Sequence, residues 1–492
     1  MLAVFVPARA QKVIEYRSGL GTRDPGDGDV WILYRNVHAT HDGMVLESDS
    51  AHYNTRENSF TAFRNVAIQL SDTTFIYGDR LFYNGDTRVL DIWADTVVLI
   101  DGGTQLLANH LTYQRNSATA FYTEWGHGTS GIRSLYSKQG QYNSELKQFY
   151  IYTDVVLGDT SSTLYTDTLL YNTNTSVAVF ESPTHIVSDS SHLYSELGEY
   201  NTDTRQAASY KASFAKSGGR TITSDTLFYD EVPGYGRALG NVVIFDSAND
   251  LTCTGLYGET SRSERFSLVT GRAHVLYVDD GDSLFLHADT IFVVNDTADA
   301  LQSVRASHHV KAFRSDAQAM CDSAFYSATD SVLWLHQSPV LWYEHYQCSA
   351  DTIELHHDSS GVSVVYLRGG CFAMQQVDRD KFNQMKGLHG EVHFREGEPD
   401  YADIIGNAQM VFYMTEDDSV GNRSLLGVNA GVGSSIRIYF DSTRAAERVV
   451  TYDKPDMQFY PIGQLPEDLR RLKGFEWRSA RRPRQPGDVF VW

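Results

Sequence analysis

Carboxylates recur along this chain at a fixed spacing, and a column of carboxylates is the first arrangement in it that could do chemistry. Asp49, Asp79, Asp167, Glu196 and Asp225 occupy one position of a pattern that returns every 29 or 30 residues, with Asn109 and Lys138 filling the two places between. A calcium ladder needs several oxygens converging at one point, and an amide and an ammonium in the column break that convergence. The alternative is a turn-capping role, in which an Asp accepts hydrogen bonds from its own backbone two residues on. A carbohydrate-active β-helix enzyme would gather two or three carboxylates on one outer face. A ladder repeated in every unit is structural in character.

His308-His309 and His356-His357-Asp358 invite a metal reading. Adjacent residues of a strand face opposite ways, so neither pair is expected to share an ion. The glycine cluster Gly427-Val-Asn-Ala-Gly-Val-Gly433 lacks the strand–helix setting of a nucleotide loop. No Gly-x-Ser-x-Gly elbow and no Cys–His pairing stands out. The four cysteines, Cys253, Cys321, Cys348 and Cys371, are too few for a disulfide scaffold and read as small buried residues; pairing of Cys321 with Cys348, in neighbouring repeats, is the alternative. The sequence therefore gives no reason to expect an enzyme, a metal or a cofactor.

The carboxylate column belongs to a larger pattern. Four residues after it comes a tyrosine: Tyr53, Tyr83, Tyr113, Tyr142, Tyr171, Tyr200 and Tyr229. Seven residues before each tyrosine stands Leu46, Ile76, Leu106, Leu135, Leu164, Leu193 or Ile222, and five before it a small residue, from Ser48 and Gly78 to Ser224. A second half carries runs such as Arg64-Asn-Val-Ala-Ile68 and Gly240-Asn-Val-Val-Ile244. Period-two alternation rich in Tyr, Phe, Thr and Val is a strand signature, and helical periodicity is almost absent. A unit of this length on copies of itself makes an elongated all-β stack, a repetitive β-solenoid.

The leucine and tyrosine stripes have opposite parity, so a bend at the small residue and the Asp is needed to turn both toward one interior. That interior would be lined by Leu46, Ile76, Leu106, Leu135, Leu164, Leu193 and Ile222, with Tyr83, Tyr113, Tyr171 and Tyr229. The regular array covers residues 11–258, weaker repeats 259–410, and closing strands with a basic tail 411–492. Leu465–Leu472 reads as one short helix with Pro466 in its first turn, followed by Arg478, Arg481, Arg482 and Arg484, the only basic cluster of the chain. A net charge of −21 excludes nucleic acid as a partner. Residues 1–10 read as the end of a truncated secretory signal, with Ala8-Arg9-Ala10 as a cleavage pattern and Gln11 as the mature start.

Leu46-Glu-Ser-Asp-Ser-Ala-His-Tyr-Asn54, Ile222-Thr-Ser-Asp-Thr-Leu-Phe-Tyr-Asp230 and Gly240-Asn-Val-Val-Ile244 resemble the repeat of the OstA-like, LptA-type proteins of lipopolysaccharide transport, over about residues 30–410. The resemblance implies a half-open β-jellyroll in the periplasm of a Gram-negative bacterium. It implies an apolar groove that carries the acyl chains of lipopolysaccharide, or lipid A, toward outer-membrane biogenesis. Its partners would be an inner-membrane Lpt extraction complex and an outer-membrane LptD-type barrel, joined end to end by β-augmentation, with head-to-tail self-association as a further expectation. The chain is longer than a minimal bridge, and its segment after 410 has no counterpart in the motif, so an extended periplasmic bridge is expected. The rival readings are an exported β-solenoid that binds on its outside or is purely structural, and a β-helix carbohydrate-active enzyme.

Overall fold

The structure, a computed structural model, describes residues 13–279, 282–359, 361–417 and 423–491. The proposed signal remnant and Gln11 lie outside the described residues. The fold is almost entirely antiparallel β, and its residues fall into two compact units. The first comprises residues up to 218 together with 225–232, and the second comprises 219–224 together with 233 onward.

The first unit is a meander of long strands, among them Val30–His41, Met44–Asn54, Ser59–Gln69, Thr74–Asn84, Val89–Asp101 and Thr104–Gln114, each paired antiparallel with the next. Every one of these pairings breaks register near its middle, for example between Phe63 and Val66 or between Tyr77 and Arg80. Further along, the same break separates short strands, such as Thr119–Tyr122 from Gly126–Ser130. Each strand is thus two arms joined at a corner.

The corner has a definite backbone origin. Two consecutive residues adopt left-handed φ at several of these corners: Arg64 (60°) and Asn65 (48°), Thr153 (69°) and Asp154 (54°), and in the second unit Gly240 (74°) and Asn241 (46°). The extra residue at these corners is a β-bulge, which bends the strand and resets which face its side chains take. The bend expected at the small residue and the Asp therefore occurs at that level, but the unusual conformations are carried by the Asn-Val segment paired opposite.

The small residues have two reasons to be small. A Cβ on Gly78 would stand 2.5 Å from the Ile92 side chain. Where the residue is Ser, its hydroxyl donates to the carbonyl two residues on, across the corner: Ser48 to Ser50 (3.1 Å), Ser137 to Gln139 (3.0 Å) and Ser195 to Leu197 (2.9 Å). The serine, and not the expected Asp, makes the local cap. At the far end of the tyrosine arm an asparagine that follows the tyrosine holds the hairpin in several units: Asn84, Asn143, Asn172 and Asn201 each accept two backbone N–H bonds through Oδ1.

The second unit repeats the plan in strands such as Tyr235–Asp246, Leu251–Ser261 and Phe266–Asp279. The expected helix at 465–472 is reduced to the single turn Glu467–Arg470, with Pro466 at its N-cap. The four cysteines are free thiols.

Candidate functional site

In the first unit the strand register converts the two sequence stripes into two ladders. Ala39, Leu46, Ile68, Ile76, Leu99, Leu106, Gly128, Leu135, Leu157, Leu164, Ile186, Leu193 and Ala215 are successive cross-strand partners. The second ladder runs Tyr53, Phe60, Tyr83, Leu90, Tyr113, Ala120, Tyr142, Phe149, Tyr171, Ala178, Tyr200, Ala207 and Tyr229. Large and small side chains alternate along its second half, so that tyrosine rings lie over alanines. Ile222 belongs to the second unit's ladder, opposite Ile244, which in turn lies opposite Cys253. All eleven lining residues expected from the sequence are buried, with exposures between 0% and 5%.

The outer face of the leucine arm is different. Tyr77, Tyr136 and Tyr165, each one residue on from a ladder position, are exposed at 42%, 43% and 48%. The two faces of one strand thus separate a packed apolar interior from an aromatic exterior.

The interior is closed along the side where the hairpin ends of the two arms meet. Arg115, on a tyrosine-arm turn, donates to the carbonyls of His41 (3.2 Å) and Asp42 (2.9 Å) on a leucine-arm turn and to the Tyr83 hydroxyl (3.1 Å). Arg88 pairs with Asp42 across the same gap, and the His41 ring meets the Tyr83 hydroxyl at 2.6 Å. Asp101, whose side chain is fully buried, accepts from Tyr142 (2.7 Å), Lys147 (2.6 Å) and Thr74 (3.1 Å). Arg133 crosses in the opposite sense to Asp203 and Ser176. Tyr200 joins Ser162 to Glu231, both at 3.2 Å. This seam of ion pairs and tyrosine hydroxyls did not register in the sequence. Its only signal was that charged residues fill the hairpin turns beside the tyrosines.

Burial raises the hydroxyl pKa of Tyr83, Tyr113, Tyr142 and Tyr200 above the ordinary tyrosine value, and for Tyr142 and Tyr200 the neighbouring carboxylate adds to it. The phenols remain neutral donors, as a seam of this kind requires. Tyr171 is the contrast: its hydroxyl is buried and finds no hydrogen-bond partner.

The carboxylate column lies on the outside of the corner. Asp49 accepts from Asn65 (3.0 Å), and Asn109 bonds Glu124. Lys138 pairs with Asp154, and Glu196 with Lys211 (2.8 Å). Lys138 is therefore a charge-reversed rung whose partner is reversed with it. His308 and His309 form a left-handed corner pair rather than regular strand, and each meets its own carboxylate, Asp322 at 3.4 Å and Asp289 at 2.9 Å. Among the described residues, no cluster of His, Cys, Asp or Glu is arranged to hold a metal ion.

This geometry defines a class, the all-β stack of cornered strands with one apolar interior between two arms. Residues 11–161 and 150–225 match the model of the OstA-like protein family. No curated protein matches the sequence. Among the solved structures that match is LptH from Pseudomonas aeruginosa, described as the LptA-homologous periplasmic component of the lipopolysaccharide transport device. It is 16% identical, the match covers 30% of this chain and 95% of that one, and the TM-score is 0.21. No helix among the described residues is long and apolar enough to cross a membrane.

Proposed function

We propose that this chain is a periplasmic carrier of lipopolysaccharide acyl chains, whose interior ladders in the first unit are the lipid-facing surface. The observation that carries this reading is the in-register pair of ladders: one leucine or isoleucine stripe and one tyrosine stripe, aimed at the same interior in OstA-like sequence. Each methylene of an acyl chain taken from water into such a lining gains about 0.8 kcal/mol. Repetition makes successive positions nearly equivalent, which suits passage along the lining rather than capture at one point. No bond is made or broken in this role.

The ladders are packed against each other, so acyl chains enter by parting the arms at the seam. Arg115, Arg133 and Lys147 are the side chains that release, and they are placed to meet anionic head groups as they do. The carrier would hand lipid between an inner-membrane Lpt extraction complex and an outer-membrane LptD-type barrel, with partners extending its sheet at the free strand edges. An exported solenoid that binds only on its exterior is the second reading, favoured by the exposed Tyr77, Tyr136 and Tyr165 row.

Photo-crosslinking in cells separates the two. A benzophenone residue placed at Tyr171 or Leu164 is expected to yield lipopolysaccharide adducts on immunoblots, and the same probe at Tyr165 is not. Adducts only from Tyr165, or from none of the three in folded protein, would replace the carrier reading with exterior binding.

A further inference from the structure

The basic cluster near the C-terminus is not a loose tail. Residues 464–491 run back along the outer face of the second unit's sheet, seated on three buried carboxamides. Gln384 donates to the Arg470 carbonyl (2.9 Å) and accepts from the Leu472 amide (2.9 Å). Gln347 donates to the Glu476 carbonyl (2.8 Å) and accepts from the Arg478 amide (2.8 Å). Gln318 accepts from Arg482 Nε (2.6 Å), while Arg482 Nη1 reaches the Glu344 carbonyl (2.7 Å). Leu472 and Val489 are the strap's own buried residues, and Phe475 and Trp477 pack edge-on against Phe382, each at 5.1 Å.

Between strap and sheet the packing opens into a polar recess of about 680 Å³, into which Arg379, Arg482, Arg484, His345 and Ser479 project. Its single carboxylate, Asp378, is engaged by Lys381 at 2.7 Å. Among the described residues, none of the three arginines has a carboxylate within ion-pair distance. Arg482 is pressed below the usual arginine range, first by burial and then by the nearby Arg484 charge. Gathering unpaired guanidinium groups in a recess of a chain carrying −21 is unfavourable unless an anion neutralises them. Guanidinium forks match the oxygens of phosphate in paired hydrogen bonds.

We propose that this recess is a binding site for a phosphate monoester or diphosphate group. Arg379 and Arg484 grip its oxygens from sheet and strap, and Arg482, fixed by Gln318, sets the floor. The group belongs either to a lipid head or to a free anion, and the site reads the chemistry the two share. The acyl-carrying ladders of the first unit play no part in this site.

The full chain, titrated calorimetrically with inorganic pyrophosphate and with monomeric dihexanoyl phosphatidic acid, tests it. At least one of the two is expected to bind, and the Arg379→Gln/Arg484→Gln double variant should weaken it about tenfold or more, the cost of losing charge-assisted hydrogen bonds. Those two side chains do not anchor the strap, so the melting temperature should not move. Binding of pyrophosphate without the phosphatidic acid assigns the site to a free anion, binding only of the phosphatidic acid assigns it to a lipid head, and binding of both supports the shared phosphate chemistry. Absence of binding by both, or equal binding by the double variant, overturns the proposal. Lipid adducts at Tyr171 should be the same in the double variant, which keeps this test separate from that of the carrier.

Discussion

Two tyrosines of one ladder differ in what their hydroxyls do, and the difference is measurable. Tyr142 donates to a fully buried carboxylate, Asp101, so Tyr142→Phe removes a hydrogen bond to a charged group and should cost about 1.5–3 kcal/mol in urea unfolding. Tyr171 has no partner for its hydroxyl, and Tyr171→Phe should change stability by less than about 0.5 kcal/mol. A similar loss for both would mean that the seam bond to Asp101 contributes nothing. The same burial governs the response to alkali. The folded pKa of Tyr122 is pushed up to about 12 from 10.0, so the folded state keeps a proton that the unfolded chain gives up first. Its contribution to stability is complete below pH 10 and is lost as pH rises toward 12. Spectrophotometric titration near 295 nm should therefore show Tyr122, with Tyr83, Tyr113, Tyr142 and Tyr200, ionising above the ordinary tyrosine range.

Each element is defined by its corner, and the corner depends on residues that tolerate left-handed backbone. Asn65 holds φ 48° and also bonds Asp49. Asn65→Val, β-branched in that region, should cost about 1–2 kcal/mol, and Asn65→Gly should lie within about 0.5 kcal/mol of the parent. Gly78→Val forces a branched side chain into the Ile92 contact and should cost about 1–3 kcal/mol by thermal melting. The sequence was informative here and also misleading. The Gly-Asn-Val and Arg-Asn-Val runs were visible as strand starts, but which strand of a pair supplied the bulge was not. A left-handed pair has no periodicity of its own, and Thr153-Asp154 or His308-His309 fill it as well as Gly-Asn does.

At the scale of the whole molecule, the two units close their sheets differently. The first unit is held at its seam by side chains such as Arg115, Lys147 and Arg133. The second unit has a strap on its outer face. Deleting residues 464–492 should strip the cover from Phe372, Phe382 and Met374, lowering the unfolding transition of the second unit while leaving that of the first unchanged. A calorimetric scan that loses both transitions together would refute the independence of the two covers. Opening the seam should act in the opposite direction on function: Lys147→Met is expected to raise lipid adduct yield at Tyr171, at a cost in stability, because it leaves Asp101 with two neutral donors.

The sequence by itself determined the β class, the two apolar stripes and their shared interior. Those follow from local alternation and from small residues beside tyrosines, and strand register simply copies them from one repeat to the next. The tertiary structure alone decided how the interior is shut. Arg115 meets His41 across 74 residues, and Lys147 meets Asp101 across 46. Neither pairing has a spacing rule, because each depends on which turns the corners bring face to face. The same holds for the basic recess. Its arginines lie on a sheet turn and on a strap about a hundred residues apart in sequence, and only folding makes them neighbours.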